Sequence, residues 1–569
     1  MNLHSMQIAS AAQMNAARSH PNLSREFLGT FKIGQILPIF HDYLVPGDKF
    51  EVKSKMFSRF LPLAVPSYVK LNYRTLTLFV PYHQVVDGYE SFMANQKLFK
   101  GQNNSLPYFN IRSWWELMAN NSYGVAELGE VESGNKYDFI SYPVSGSATS
   151  YTLTAKGRYF YKILQSLGLN MPYAFYYNYS TDVVLTITPL LAFAHAYNCY
   201  MSYSPNYNTS ALSALLESIK RSPNHQVTAA ELNTILSSIL LTYEESFVSS
   251  CWAQPYFSQN ATVPANNSFN DLTENVPSDR NVTYSVGYGS SLNVQNNQII
   301  NSAQIRLLLK FDDYFRRSNY AGSKDIEQIY SRLGVKIDDY KNRYPYFLNE
   351  SFQEVAIGDI TSTADTEGAP IGAYAGKAIG SDNASFVFEC KDYGMLVTLA
   401  WFAPKPTYYL GIDKEYFRRQ PFDFYTPELD QGFPSPVNLL QVWSRGNDSI
   451  GNTYGYTELY SEYLYARDQI VGDFSRFEDY LPWHFGRDLD SVPLNNLTAQ
   501  SDTVIYIPQT GGYFERIFNI SDPEGVDQDS IMTHIDFSVS TNRPMKDRVG
   551  KSGLGDGSLD IPALGSQIN

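Results

Sequence analysis

Apolar and polar positions alternate in short runs toward both ends of the chain. In 50–56, Phe50, Val52 and Met56 alternate loosely with Glu51, Lys53 and Lys55, the period of a half-buried strand. TLTLFV (75–80) predicts another strand that stops at Pro81, where a ladder donor would be missing. FVFEC (386–390) and MLVTL (395–399) flank Asp392, Tyr393 and Gly394 and predict a tight hairpin. In 535–539, Ile535, Phe537 and Val539 share one face, and TVIYI (503–507) is a further candidate. These runs lie too far apart for one simple meander. They predict a single β-architecture with long excursions between strands.

The period changes in the middle. Thr228 and Glu231 have capping-box spacing and open a predicted helix over 232–243. Helices are also predicted over 303–317 and 324–333. In the second, Ile326, Ile329, Tyr330 and Leu333 recur at helical spacing before Gly334. The Asn- and Ser-rich stretch 260–297 has no such period and reads as an exposed loop. The glycine-rich start of 550–569 reads as a flexible tail. No repeat of fixed period is present.

Composition sharpens this picture. The chain has 569 residues, 18% of them charged and 15% aromatic, with a formal net charge of −14. So much aromatic mass with so little charge excludes a disordered chain, and the acidic balance excludes a generic basic nucleic-acid binder. Cys199, Cys251 and Cys390 are too few and too scattered for a disulfide framework or a zinc site, so three reduced, buried thiols are expected. No basic stretch leads an apolar core at the N-terminus, and no signal peptide is expected. The most apolar run, 183–196, is broken by Pro189 and His195 and falls short of the ~20 residues that span a bilayer. Production in a reducing cytoplasm is the expectation.

Catalytic and cofactor signals are thin. No zinc-protease, nucleophile-elbow or paired-cysteine motif occurs. Gly550, Lys551 and Ser552 imitate the end of a phosphate loop, but Met545 stands where its first glycine belongs. Asp312–Asp313 and Asp338–Asp339 lie on predicted helices and read as solvated pairs. The eight histidines are scattered. No enzyme, metal or cofactor is expected. Charge distribution says more. Residues 1–60 carry Arg18, Arg25, Lys32, Lys49, Lys53, Lys55 and Arg59 against only Glu26, Asp42, Asp48 and Glu51. Arg543, Lys546, Arg548 and Lys551 face only Asp547 near the other end. An acidic body with mildly basic ends suits a shell that shows those ends to a polyanion, with another, more basic partner neutralising most of it, and on charge alone it suits ordinary surface scatter equally well.

Specific strings carry more weight than statistics. FKIGQILPIF (31–40), LVPGDKF (44–50) and LFVPYH (78–83) followed by Phe92 and Met93 resemble successive blocks of the major capsid proteins of microviruses, small single-stranded-DNA bacteriophages. QIRLL (304–308) with QIYSRLGV (328–335) is similar to their central block. YGYTELYSEYLY (454–465) with GDF (472–474), and DSIMT (529–533), are similar to their later blocks. The order is kept from about Arg25 to Arg548, and the gokushovirus-like branch is the nearer one.

This resemblance implies a mainly β fold: an eight-stranded antiparallel jelly roll of the viral capsid type, a single domain over 1–569 with long loop and helical insertions. It implies a structural protein that assembles through pentameric units into a T=1 icosahedral shell around circular single-stranded DNA, bound without sequence specificity. The implied partners are a small basic DNA-binding protein, a pilot protein and a host surface receptor or glycan. The place implied is the virion, after synthesis in the host bacterial cytoplasm. The N-terminal arm, 1–30, is expected to face the interior, with Arg18, Arg25 and Lys32 as DNA contacts. The surface protrusion is assigned to 260–297, with Asn266, Asn267, Asn281, Asn293 and Asn296 exposed, and 208–243 is its second candidate. The rival reading from aromatic content, acidity and β-richness is a carbohydrate-binding or carbohydrate-active protein.

Overall fold

A computed structural model describes residues 18–93, 106–118, 124–127, 138–142, 149–170, 174–176, 184–201, 209–222, 224–244, 282–283, 293–294, 344–361, 374–405, 407–427, 434–444, 452–487, 515–518 and 529–544. Two antiparallel sheets organise them. Nine strands are involved: β1 (Arg25–Phe31), β2 (Leu37–Leu44), β3 (Lys49–Phe60), β4 (Leu71–Pro81), β5 (Tyr346–Glu354), β6 (Ala356–Thr361), β7 (Tyr374–Glu389), β8 (Gly394–Pro404) and, last, β11 (Ile531–Asn542). Between β8 and β11 lie β9 (Pro434–Asn438) and β10 (Thr453–Glu458), which pair only with each other. One sheet has the order β1-β11-β3-β7-β6 and the other the order β5-β4-β8-β2. The first and last strands among the described residues are therefore hydrogen-bonded neighbours, Arg25 opposite Phe537.

Sequence pattern decides which sheet a strand joins. β11 alternates strictly, burying Ile531, Thr533, Ile535, Phe537 and Val539 and exposing the residues between. Such a strand covers a core on one face only. β8, GMLVTLAWFAP, is buried at every position, because helices cover the outer face of its sheet. The predicted hairpin at Asp392 is corrected here. The turn is tight, with Tyr393 N–H donating to Asp392 Oδ1 over 2.7 Å, but β7 and β8 belong to different sheets. The turn therefore crosses from one sheet to the other. The strands read at 50–56, 75–80 and 535–539 are present as β3, β4 and β11. The stretch 503–507 lies outside the described residues.

Aromatic contacts join the sheets. Phe402 of β8 meets Phe31 at 5.6 Å, Phe60 at 5.5 Å and Tyr73 at 5.2 Å. Phe40 of β2 lies 4.9 Å from Phe537, and Phe79 of β4 lies 5.0 Å from Phe388. Such pairs add to simple area burial. Behind the four-stranded sheet pack α1 (Ile111–Met118), α2 (Ala155–Ser166), α3 (Thr188–Tyr200), α4 (Thr209–Arg221) and α5 (Ala229–Glu244), sharing one continuous core with it. Tyr159 of α2 donates to the Ile36 carbonyl over 2.9 Å. The capping box forms as read: Thr228 N–H donates to Glu231 Oε2 over 2.9 Å, and Glu231 N–H donates to Thr228 Oγ1 over 3.3 Å. The run 183–196 contributes to α3, whose Leu190, Leu191 and Phe193 are buried. Among the described residues no helix is long and apolar enough to cross a membrane. The helices predicted at 303–317 and 324–333 lie outside the described residues, as does the tail 550–569.

Residues 407–487 have a different character. They hold the β9–β10 ladder and several short 3-10 turns around a small core of their own, formed by Tyr408, Leu410, Val437, Leu439, Val442 and Tyr454. Arg487 is wholly buried, donating from Nη1 to the Tyr408 hydroxyl over 2.7 Å. The segment joining β3 to β4 holds this unit in place: Ser67 Oγ donates to the Pro482 carbonyl over 2.6 Å, and Tyr68 N–H donates to the Trp483 carbonyl over 2.9 Å.

Candidate functional site

The two basic ends meet. Ser19 and Arg543 exchange backbone hydrogen bonds of 2.9 Å in both directions. Arg18 is exposed and donates from Nη1 to the Gly47 carbonyl over 3.1 Å and to Asn542 Oδ1 over 3.3 Å. Gly47 can hold this turn because its φ is +92°, a region costly for other residues. Arg543 is not a free cation: Asp42 lies 3.2 Å and Asp48 3.5 Å from it. The basic excess counted near the C-terminus is thus partly neutralised at this position. Lys546, Arg548 and Lys551 lie outside the described residues.

Arg25, exposed at the start of β1, donates to the His41 carbonyl and stands over the Phe40 ring at 4.1 Å. Lys32 differs. It is only 4% exposed, in the turn between β1 and β2, and its charge bears on Asp529. Asp529 also receives Lys162 of α2 at 2.8 Å and the Thr30 hydroxyl. Burial alone would raise this carboxyl, but the two lysines and the hydrogen bonds from Lys162 and Thr30 hold it below the usual carboxylate range. Lys32 is thus a buried residue whose charge is felt by Asp529, in contrast to the exposed Arg18 and Arg25.

A richer cationic surface lies on β3. Alternation turns Lys49, Lys53, Lys55 and Arg59 outward from the five-stranded sheet, while Phe50, Val52 and Met56 face the core. The three lysines have polar neighbours across the ladders, Lys53 opposite Ser538 and Ser385 and Lys55 opposite Asp536 and Asn383, whereas Arg59 lies opposite Ile379 and Met532. Two are paired at the surface, Lys49 with Glu389 at 3.1 Å and Lys53 with Glu51 at 2.8 Å. Phe57 stands in the same column, 42% exposed, with Arg59 5.5 Å from its ring centre. A column of cations around one aromatic face can follow a phosphate backbone and stack a base. In the sequence these four residues stand out as charge, and Lys53 and Lys55 also as polar positions in the alternation of 50–56. The period-2 pattern of 49–59 was the signal that places them on one face.

Of the loop candidates, Asn293 lies in a two-residue strand, Asn293–Val294, paired antiparallel with Val282–Thr283. Asn266, Asn267, Asn281 and Asn296 lie outside the described residues. In the second protrusion candidate, 208–243, α4 and α5 bury Leu212, Ile219, Ile235 and Ile239 in the main core.

Nothing described resembles a catalytic centre. Among the described residues no three His, Cys, Asp or Glu side chains are grouped to hold a metal. The Cys390 thiol is buried and pushed up to about 12, chiefly by desolvation, which leaves it un-ionised and unreactive. Cys199 is only half-buried, and Cys251 lies outside the described residues.

The family model described as capsid protein (F protein) matches residues 9–109 and 199–550. Capsid protein VP1 of Chlamydia phage 1 is 22% identical over 562 residues, covering 86% of this chain and 90% of that protein. Capsid protein VP1 of Bdellovibrio phage phiMH2K is 22% identical over 528 residues, covering 89% and 91%. Capsid protein VP1 of Spiroplasma virus 4 is 23% identical over 203 residues, covering 34% and 36%. The family match leaves out 110–198, whereas the loop candidate 260–297 falls within it.

Proposed function

The chain belongs to the phage capsid (F protein) family, and from that premise we propose that copies of it form a small T=1 icosahedral shell around circular single-stranded DNA. It is a structural capsid protein of a small single-stranded-DNA phage and a component of the virion. Membership in a family of structural proteins displaces the carbohydrate-active alternative.

Eight of the strands fit an antiparallel jelly roll, β6 being an extra strand at the edge. The observation that carries this reading is the strand order. β1, β11, β3 and β7 form one sheet and β2, β8, β4 and β5 the other, so the chain passes repeatedly from sheet to sheet and its last strand returns beside its first. Two packed sheets of this kind protect most of their edges, and their connections are free to vary.

Within the shell, residues 18–60 face the genome. Arg18, Arg25 and the outward column of β3 supply the contacts, and Lys32 braces Asp529 instead. Contacts of this kind are electrostatic and indifferent to sequence. Their small net charge leaves most neutralisation to a small basic protein, and a pilot protein completes the particle. The 260–297 stretch is the surface protrusion that meets a host receptor or glycan. Subunits are made in the host bacterial cytoplasm and collect into pentameric units before closure.

Expression of the chain with its phage partners tests the whole reading. Uniform small shells under negative stain are the expected outcome, and subunits that stay monomeric under every assembly condition would overturn it.

A further inference from the structure

We propose that the exposed aromatic surface of residues 407–487, extended by Tyr68, is a contact between neighbouring copies of this chain. The inference rests on the shell reading above and names the surface that the shell uses.

The first observation is exposure. Leu464 is 91% exposed, Tyr416 79%, Tyr68 76%, Val471 72% and Phe477 55%. Side chains of this size are normally placed in cores or interfaces, and soluble monomers rarely gather them into a patch. Here they lie close in sequence to two sets of touching rings. Tyr425, Tyr460 and Tyr463 touch one another edge to face at 5.4–6.3 Å, with the Arg418 guanidinium 4.3 Å above Tyr463. Phe474 meets Tyr480 at 5.3 Å and Trp483 at 6.3 Å, and Trp483 meets Tyr68 at 5.6 Å. Between Tyr68 and Phe474 opens a groove of about 340 Å³ that also reaches Val471 and Trp483.

Area selects the occupant. A buried aromatic side chain covers about 150–250 Å², so the exposed fractions of this patch amount to on the order of 1,000 Å². One partner of a standard protein–protein interface contributes about 800 Å². A sugar or short peptide would fill the groove and leave Leu464 and Tyr416 in water. A second copy of the chain is large enough to cover them, and a shell supplies such copies without any further component.

Charge and composition agree. The patch is rich in Tyr, Phe and Trp with an Arg, the residues that interface centres favour. Its main cations already have partners within the subunit: Lys405 with Asp468 at 2.6 Å, Lys414 with Glu462 at 3.2 Å and Arg467 with Asp413 at 2.8 Å. Two such surfaces can approach without leaving those charges unpaired. The unit is also built to hold its outline. Gly411 lies so close to the Gln441 carbonyl that an added Cβ would sit 2.0 Å from its oxygen, and Tyr460 is fixed at a φ of +65°.

The test compares Leu464→Glu and Phe477→Glu with Val387→Glu, which lies on the five-stranded sheet and is 76% exposed in the parent chain. Particles and unassembled subunits are separated by sedimentation, and thermal unfolding of the unassembled fraction reports folding. Leu464→Glu and Phe477→Glu are expected to lower particle yield at least about tenfold with the unfolding temperature unchanged, while Val387→Glu assembles. Hydroxyl-radical footprinting of the parent chain supplies an independent reading: Tyr416, Leu464 and Tyr68 should become protected when subunits enter particles. Particles at parental yield, or no protection at these three residues, would overturn the proposal. Parental yield with lost attachment to host cells would assign the patch to a receptor instead. A parent chain that forms no particles would overturn the shell reading itself.

Discussion

In β11 every second side chain is buried, and the ones between are Met532, His534, Asp536, Ser538 and Ser540. In 461–480 the exposed positions include Tyr463, Leu464, Val471, Phe477 and Tyr480. The sheet completes its core within the subunit and shows water a mostly polar face. The 407–487 unit has a small core of six buried residues and, among its described residues, leaves ten large apolar groups exposed. Hydrophobic burial is proportional to the area removed from water. In the sheet that area is removed when the chain folds, and in the 407–487 unit when chains meet. Folding and assembly energy thus occupy different parts of one subunit.

The largest effect that could break this contrast concerns Phe402 and Tyr416. Phe402 is fully buried and touches three rings from both sheets, so Phe402→Ala should destabilise the unassembled subunit by about 3–5 kcal/mol. Tyr416→Ala should change the same quantity by less than about 0.5 kcal/mol. Urea unfolding of unassembled subunits measures both. Equal losses would mean that Tyr416 is already part of the folding core, and the division between the two regions would collapse.

A middle-sized effect tests how the sandwich is closed. Lys162 and Asp529 are each about one-fifth exposed, and their pair ties α2 to the residues just before β11. The Asp529 carboxyl is lowered in the folded state. Its contribution is therefore complete above the ordinary aspartate value near 3.9 and disappears as the pH falls through the lowered folded value. Asp529→Asn should cost about 1–3 kcal/mol at pH 7. It should also flatten the loss of stability between about pH 5 and 2, read from urea midpoints along that range. A parent and variant that decline in parallel would show that the pair is not what acid breaks.

The two regions were also unequally legible in the sequence. Alternation gave β3, β4 and β11 because a strand with one wet face must alternate, and Thr228 with Glu231 gave α5 because a capping box is local chemistry. Sheet membership was not legible. Asp392 and Gly394 signal a tight turn whether the chain doubles back in one sheet or crosses to another, and only the packing on both faces of β8 decides between them. Lys32 is similar: a lysine in a basic segment looks solvated in sequence, and its 4% exposure comes from packing that no local pattern reveals. The string at 454–465 was legible as a family block but not as a structure. Its Tyr454 and Tyr456 lie in β10, but the aromatics after them follow no period, because the 3-10 turn at 461–464 leaves little trace in sequence. The family resemblance reached the function by a route that physical periodicity does not supply.

The smallest expected effect concerns the polar side of the comparison. If the outward face of β3 meets DNA, its lysines act through released counterions, not through stability. Lys53→Ser with Lys55→Ser should leave urea unfolding within about 0.5 kcal/mol of the parent, because both side chains are solvated. Binding of the unassembled subunit to oligo(dT) should weaken, and its dependence on log salt should become shallower by about 0.7 for each lysine removed. Lys53 is held by Glu51 at 2.8 Å, which already offsets part of its charge, so the Lys55 change should account for more of the loss. Lys32→Met offers the opposite signature, a loss of stability with the salt dependence unchanged, because the residue is buried and its charge bears on Asp529. An unaltered slope in the Lys53, Lys55 double variant would remove this face from the genome and leave Arg18 and Arg25 as the only described candidates. The polar sheet would then be exposed for solubility alone, in contrast to the 407–487 surface, whose exposed aromatics are covered by a second copy.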